Sequence, residues 1–118
     1  MYGLPKDFDG SVFIGKEIIQ ICFAVNQVSV QFEKITVTSE ASFGYSLTKD
    51  RGAEKVYQIP VRSSEIMELV GHAVTEVTVE GPGGLCLHFD NGHSLIFYDE
   101  MSNYESYHIY LSDKAIHV

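Results

Sequence analysis

The stretch Leu85-Cys86-Leu87-His88-Phe89-Asp90-Asn91-Gly92-His93-Ser94-Leu95-Ile96-Phe97 decides how this chain folds. Two runs rich in apolar residues flank Asp90-Asn91-Gly92, and Asn and Gly tolerate the left-handed conformations that tight hairpins need. A three-residue loop sets Leu87 opposite Leu95 and Leu85 opposite Phe97, which gives one apolar face. A two-residue loop sets Leu95 opposite His88 instead. Because a slip of one residue turns every side chain to the other face, the pattern predicts the three-residue loop.

Moving outward, a second hairpin turns at Ser112-Asp113, pairing Ile109 with Ile116 and, on the opposite face, His108 with His117. Lys49-Asp50-Arg51-Gly52-Ala53 reads as a polar hairpin tip, and Gly81-Pro82-Gly83-Gly84 as a longer turn. Alternation predicts strands at about 17–25, 27–33, 35–40, 42–48 and 55–60, then at about 73–80, 84–89, 93–98, 105–111 and 114–118. Two short helical turns precede these sets. In the first, Asp9 caps, Phe13 and Ile14 face inward and Gly15 stops the turn. In the second, Ser63 and Ser64 cap, Glu65 suits the positive end, Ile66, Leu69 and Val70 form an apolar face, and Gly71 stops it.

The two sets resemble each other. Phe13-Ile14-Gly15-Lys16 lies over Leu69-Val70-Gly71-His72, 56 positions on, and Val28-Ser29-Val30-Gln31-Phe32 over Leu85-Cys86-Leu87-His88-Phe89, 57 positions on. Residues 35–40 lie over 95–100, and Lys55-Val56-Tyr57-Gln58-Ile59 over Lys114-Ala115-Ile116-His117-Val118. The order is kept and the offset changes only where loops can absorb residues. The expectation is a mainly β fold with minor helix: two diverged β-meander repeats, about 9–60 and 64–118, around one core in a single domain. Closure as a barrel and stacking as a sandwich both fit the sequence.

Composition bounds the function. The 118 residues are 45% hydrophobic and 20% charged, ordinary for one globular domain. No apolar run is long enough to span a bilayer as a helix, and Met1 to Pro5 does not start like a signal peptide. Sixteen acidic residues against eight basic ones give a net charge of −8, which repels nucleic acid and suits a basic partner. Cys22 and Cys86 lack metal or redox spacing, so two reduced thiols in a cytoplasm are expected, although the sequence leaves a disulfide between the halves open.

No motif for catalysis stands out. His108 and His117 are cross-strand neighbours with His88 and His93 on a nearby strand pair, but no His-x-His or His-Glu-x-x-His spacing supports a metal, so neither a metal nor another cofactor is assigned. Asp99, Glu100 and Glu105 surround Tyr98, Tyr104, Tyr107 and Tyr110 in or beside a loop, where hydration is the default for carboxylates. There is no Gly-x-Ser-x-Gly elbow, and the Gly81 turn lacks the Lys-Ser/Thr that phosphate loops require. The distinctive segment is Tyr98-Asp99-Glu100 followed by Tyr104-Glu105-Ser106-Tyr107-His108, since aromatic rings with polar tips anchor interfaces. Tyr98, Asp99, Glu100, Tyr104, Glu105, Tyr107 and His108 are therefore the candidate binding residues.

The Leu-Val-Gly step, the alternating strands, Phe89-Asp90-Asn91-Gly92, Tyr104-Glu105-Ser106-Tyr107-His108-Ile109 and the closing Ile116-His117-Val118 together resemble a group of small bacterial proteins of unknown function. The resemblance implies no activity for any residue. The leading expectation is a non-enzymatic binding or protein-interaction module in the cytoplasm, immunity-like in the sense of small acidic β proteins that neutralise toxins. A small-ligand-binding protein with a cleft between the repeats is one alternative, and a hydrolytic enzyme using Asp99, Glu105 and His108 is another. Ala115 to Val118 is an edge through which a homodimer would form.

Overall fold

Period-two alternation along Val28–Phe32 buries Val28, Val30 and Phe32 on one side and leaves Ser29 and Gln31 half-buried on the other. The same rule organises the rest of a computed structural model that describes residues 3–48, 52–81, 83–99 and 106–118. Its strands are β1 (Ile18–Phe23), β2 (Val28–Phe32), β3 (Ile35–Ser39), β4 (Phe43–Ser46), β5 (Lys55–Tyr57), β6 (Val74–Glu80), β7 (Gly84–Phe89), β8 (Ser94–Phe97), β9 (Tyr107–Tyr110) and β10 (Ala115–His117). They form two antiparallel five-stranded sheets, ordered β1-β2-β3-β9-β10 and β5-β4-β8-β7-β6. The described strands do not close into a barrel. The inner faces of both sheets feed one hydrophobic cluster, so the arrangement is sandwich-like.

The decisive hairpin pairs as its alternation predicts, with Leu85 opposite Phe97 and Leu87 opposite Leu95. Phe89 N–H donates to His93 O (2.9 Å) across a loop of residues 90–92. In the last hairpin Ile116 lies opposite Ile109 and His117 opposite His108.

The meanders do not stay whole. Each sheet takes three consecutive strands from one half of the chain and a two-stranded hairpin from the other. β4 and β5 join β8 of the second sheet, and β9 and β10 join β3 of the first. This happens because β3 and β8 each leave one edge unpaired within their own meander, and a strand from across the core fills it.

Where the two sheets meet, the backbone bonds are reciprocal. Gly15 N–H donates to Val74 O and Gly71 N–H donates to Ile18 O, both at 2.8 Å. Val74 N–H donates to Lys16 O (3.0 Å) and Ile18 N–H donates to His72 O (3.2 Å). Gly15 (φ 82°) and Gly71 (φ 89°) are left-handed, a conformation that only glycine adopts without steric cost, and this turn sends the chain from each helical turn into β1 or β6. Both strands then carry a register shift at matching places, between Ile18 and Gln20 and between Val74 and Glu76.

Three details of the sequence reading change. The helical turns are 3-10 turns, Gly10–Phe13 and Ile66–Leu69, capped by Asp9, which accepts from Ser11 N–H (3.0 Å), and by Ser64 Oγ, which accepts from Ile66 N–H (3.2 Å). Phe13, Ile66 and Leu69 are buried, but Ile14 and Val70 are 46% and 45% exposed. Both of those follow the turn with an extended ψ (129° and 127°), which swings the side chain off the packed face. In addition, strand pairing sets Val37 where Leu95 stands, each opposite a buried residue of the preceding strand, Val30 and Leu87. The aligned offset there is therefore 58, two less than the pattern of residues 35–40 and 95–100 suggests, because the loop after Phe89 is only one residue longer than that after Phe32.

Candidate functional site

Inner faces build the scaffold, so the outward faces are where a site must lie. The described candidate residues, Tyr98, Asp99, Tyr107 and His108, do not gather on one of them. Glu100, Tyr104 and Glu105 lie outside the described residues. Tyr107 alternates inward, is fully buried beside Phe97 (ring centroids 5.5 Å apart), and its hydroxyl donates to Gly83 O (2.5 Å). Burial, with the charge of Asp99 adding to it, pushes the Tyr107 phenol far above its ordinary value. That ring supports the core.

Tyr98 points the other way, over the outer face of the second sheet. It lies across Gly44, and its hydroxyl donates to Glu54 Oε2. A Cβ at position 44 would collide with that hydroxyl, so glycine is what lets the ring cover the sheet. Asp99 sits beside Gly83, and Ser106 Oγ donates to its Oδ1 (3.5 Å).

His108 remains, on the outer face of the first sheet. Pairing lines up Cys22, Ser29, Thr38, His108 and His117 in one row across all five strands, and Gln20, Gln31, Thr36, Tyr110 and Ala115 in the next. Ser29 Oγ and Thr38 Oγ1 share a hydrogen bond (3.2 Å), and Gln20 Nε2 donates to Cys22 Sγ (3.2 Å). The rings of His108 and His117 meet edge to face, centroids 4.8 Å apart, with their Nδ1 atoms 2.7 Å from one another. On the far side of the His108 ring, Nε2 lies 3.5 Å from Glu40 Oε2. Tyr110, 42% exposed, has its ring centroid 6.0 Å from that of His108 and 6.3 Å from that of His117. The surface is polar, open, and carries three rings and a carboxylate.

The other histidines are elsewhere. His88 is buried on the outer face of the second sheet, its Nδ1 2.9 Å from Ser94 Oγ and its Nε2 3.2 Å from Thr78 Oγ1. His93 takes up the Tyr45 hydroxyl at Nδ1 (2.5 Å). Burial, then the carboxylates of Glu68 and Glu65, push that phenol up to about 12. His72 Nδ1 holds Asp90 Oδ1 at 2.7 Å, which together with the Ala73 N–H keeps the Asp90 carboxyl below its ordinary value. Among the described residues no three His, Cys, Asp or Glu converge on one point.

Cys22 and Cys86 lie on the outer faces of different sheets. No helix among the described residues is long and apolar enough to cross a membrane. Sequence reasoning pairs His108 with His117 correctly but misses Glu40. Its signal needs the β3–β9 pairing, which sets Thr38 beside His108 and so brings in Glu40, two residues on. The chain matches no protein-family model, no curated protein and no solved structure.

Proposed function

We propose that this chain is a non-enzymatic protein-interaction module whose docking surface is the outer face of the sheet β1-β2-β3-β9-β10. The observation that carries the reading is the contrast between the two outward faces. The first leaves Gln31, Thr36, His108, Tyr110 and His117 accessible, whereas the second buries Cys86, His88, Ser94 and Ile96. A ring with a polar tip, ringed by short hydroxyl and amide side chains, is the composition of an adaptable protein interface. A net charge of −8 selects a basic partner and speeds its approach, the situation of an immunity-type protein facing a cationic toxin. A cytoplasmic setting, where Cys22 and Cys86 stay as thiols, fits the same reading.

Under the same proposal the scaffold is two diverged copies of one unit. The reciprocal bonds of Gly15 and Gly71, the matching register shifts and the parallel strand orders support it. Divergence of one copy's outer face from the other's is how such a scaffold acquires a single docking surface.

Capture with the purified chain tests the reading when two variants are run beside it. Tyr110→Ala combined with Thr36→Arg alters the first sheet's face, and Val56→Ser alters the second's. The expected result is a basic partner held in fixed ratio by the wild type and by Val56→Ser, and lost with the double variant. Equal capture by all three, or none by any, removes the proposal.

A further inference from the structure

We infer that His108 and His117 form a binding site for one divalent transition-metal ion of the copper, nickel or zinc class, with Glu40 orienting the first imidazole. The site stands on cross-strand register, not on sequence spacing. β9 and β10 place the two residues directly opposite, on the outward side of a hairpin whose inward side, Ile109 against Ile116, is anchored in the core. Such a pair is held by the backbone before any ion arrives, which removes much of the ordering cost of binding.

The atoms that face one another are the two Nδ1 nitrogens, 2.7 Å apart. Without metal, one must donate a proton and the other accept it, because two lone pairs at that distance repel. A cation displaces that shared proton to solvent and takes both lone pairs. Metal–imidazole bonds of about 2.0–2.1 Å at a tetrahedral angle need the nitrogens about 3.3 Å apart. Turning the rings apart by that small amount is open to them, since His117 is exposed and lies at the sheet edge.

Glu40 supplies the second element of such a site. Its Oε2 lies 3.5 Å from His108 Nε2, on the side of the ring away from His117. A carboxylate there favours the proton on Nε2, which leaves Nδ1 as the lone pair aimed at the ion. Ligating imidazoles in metal sites donate that other ring N–H to a carboxylate, a role Glu40 is placed to take with a small closing of the 3.5 Å gap. Nitrogen donors select borderline transition ions over calcium and magnesium, which take oxygen sets. Two protein ligands leave the remaining positions to water, so the site is open. The surrounding charge of −8 favours any cation.

The inference is independent of the docking proposal, because it is read on the isolated chain. The untagged protein is titrated with copper, nickel, zinc and magnesium ions by calorimetry, while the imidazole carbon-bound protons are followed by NMR. The expected result is saturation at one ion per chain, tightest for copper and absent for magnesium, with resonances of His108 and His117 moving and that of His93 still. His117→Ala and His108→Ala should each weaken binding by about tenfold or more, and Glu40→Gln by about tenfold. His72→Ala serves as a control and should bind as the wild type does. His117→Gln, which keeps the side chain's bulk, should fail like His117→Ala while unfolding at the wild-type temperature. Absence of saturation at millimolar metal overturns the inference, as does binding that survives loss of both histidines or magnesium binding equal to that of zinc.

Discussion

The outer faces of the two sheets occupy the same places in the same strand order and have opposite character. Across the first sheet one row reads Cys22, Ser29, Thr38, His108, His117. The corresponding row of the second reads Thr78, Cys86, Ile96, Gly44, Val56. Where the first has His108, the second has Gly44 with the Tyr98 ring across it. Next to it Ser94 Oγ and Ser46 Oγ donate to the backbone of Thr48 and Gly52, so chain folds over that face too. The second face is the more closed, although Val56 stays exposed, and the first is the more open, although Thr38 is buried. Identical backbone pairing with different outward chemistry separates what the fold needs from what a partner or ion would use.

The inner faces are the control for that comparison. Phe32 and Phe89 hold matching positions, opposite Ile18 and Val74, and both are buried in the one cluster. Phe32→Ala and Phe89→Ala should each lower unfolding stability by about 3–5 kcal/mol, since each deletes a ring from a close-packed core and leaves a cavity. Urea unfolding measures both. If the two costs differ by most of that range, the sheets do not share the core equally and the comparison fails at its base.

Outward, the same test should give unequal answers. Gln31 and His88 are counterparts, opposite Thr36 and Ser94 respectively. His88 is buried with both ring nitrogens near hydroxyl partners, whereas Gln31 is half-buried and reaches Cys22 Sγ at 4.0 Å. His88→Ala should cost about 1–3 kcal/mol, because it strands the buried Ser94 hydroxyl and opens a void. Gln31→Ala should stay within about 0.5 kcal/mol. Thermal and urea unfolding of the two variants decide it, and equal costs would mean the first sheet's face is as structural as the second's.

How much of this was legible follows from which interactions are local. The hairpin at residues 90–92 and the one at Ser112-Asp113 are written in adjacent residues, so alternation and turn chemistry fix their register. The exchange of hairpins is not, because β3–β9 and β4–β8 pair strands separated by long stretches of chain, and either meander alone satisfies the same alternation. Burial of Tyr107 and exposure of Tyr110 depend on that exchange, since the β9 phase is set by which strand it joins. Of the stretch read as one surface, Tyr107 therefore goes to the core, Tyr98 to one outer face, and His108 and Tyr110 to the other. The pair His108–His117 was readable and its partner Glu40 was not, for the same reason.

The smallest expected effect is also the most specific to one half. Both loops that end the central hairpins carry an acidic residue facing the turn that precedes the sheet: Glu33 toward Lys16 at 3.9 Å, and Asp90 toward His72 at 2.7 Å. The first is a long contact between a half-buried lysine and an exposed glutamate, which contributes little in water. In the second, Asp90 accepts from the His72 imidazole and from Ala73 N–H, and these bonds hold its carboxyl below the usual range. A carboxyl whose value is lowered on folding stabilises the fold above its unfolded value, and that contribution disappears as the pH falls through the folded one. Asp90→Asn should therefore lower the urea midpoint at pH 6.5, and the gap from wild type should close as the pH falls below the ordinary carboxylate range. Glu33→Gln should leave the midpoint unchanged at both. A gap for Asp90→Asn that persists undiminished in acid would show that its amide fails for reasons of shape rather than charge, and the two loops would then differ in packing instead of electrostatics.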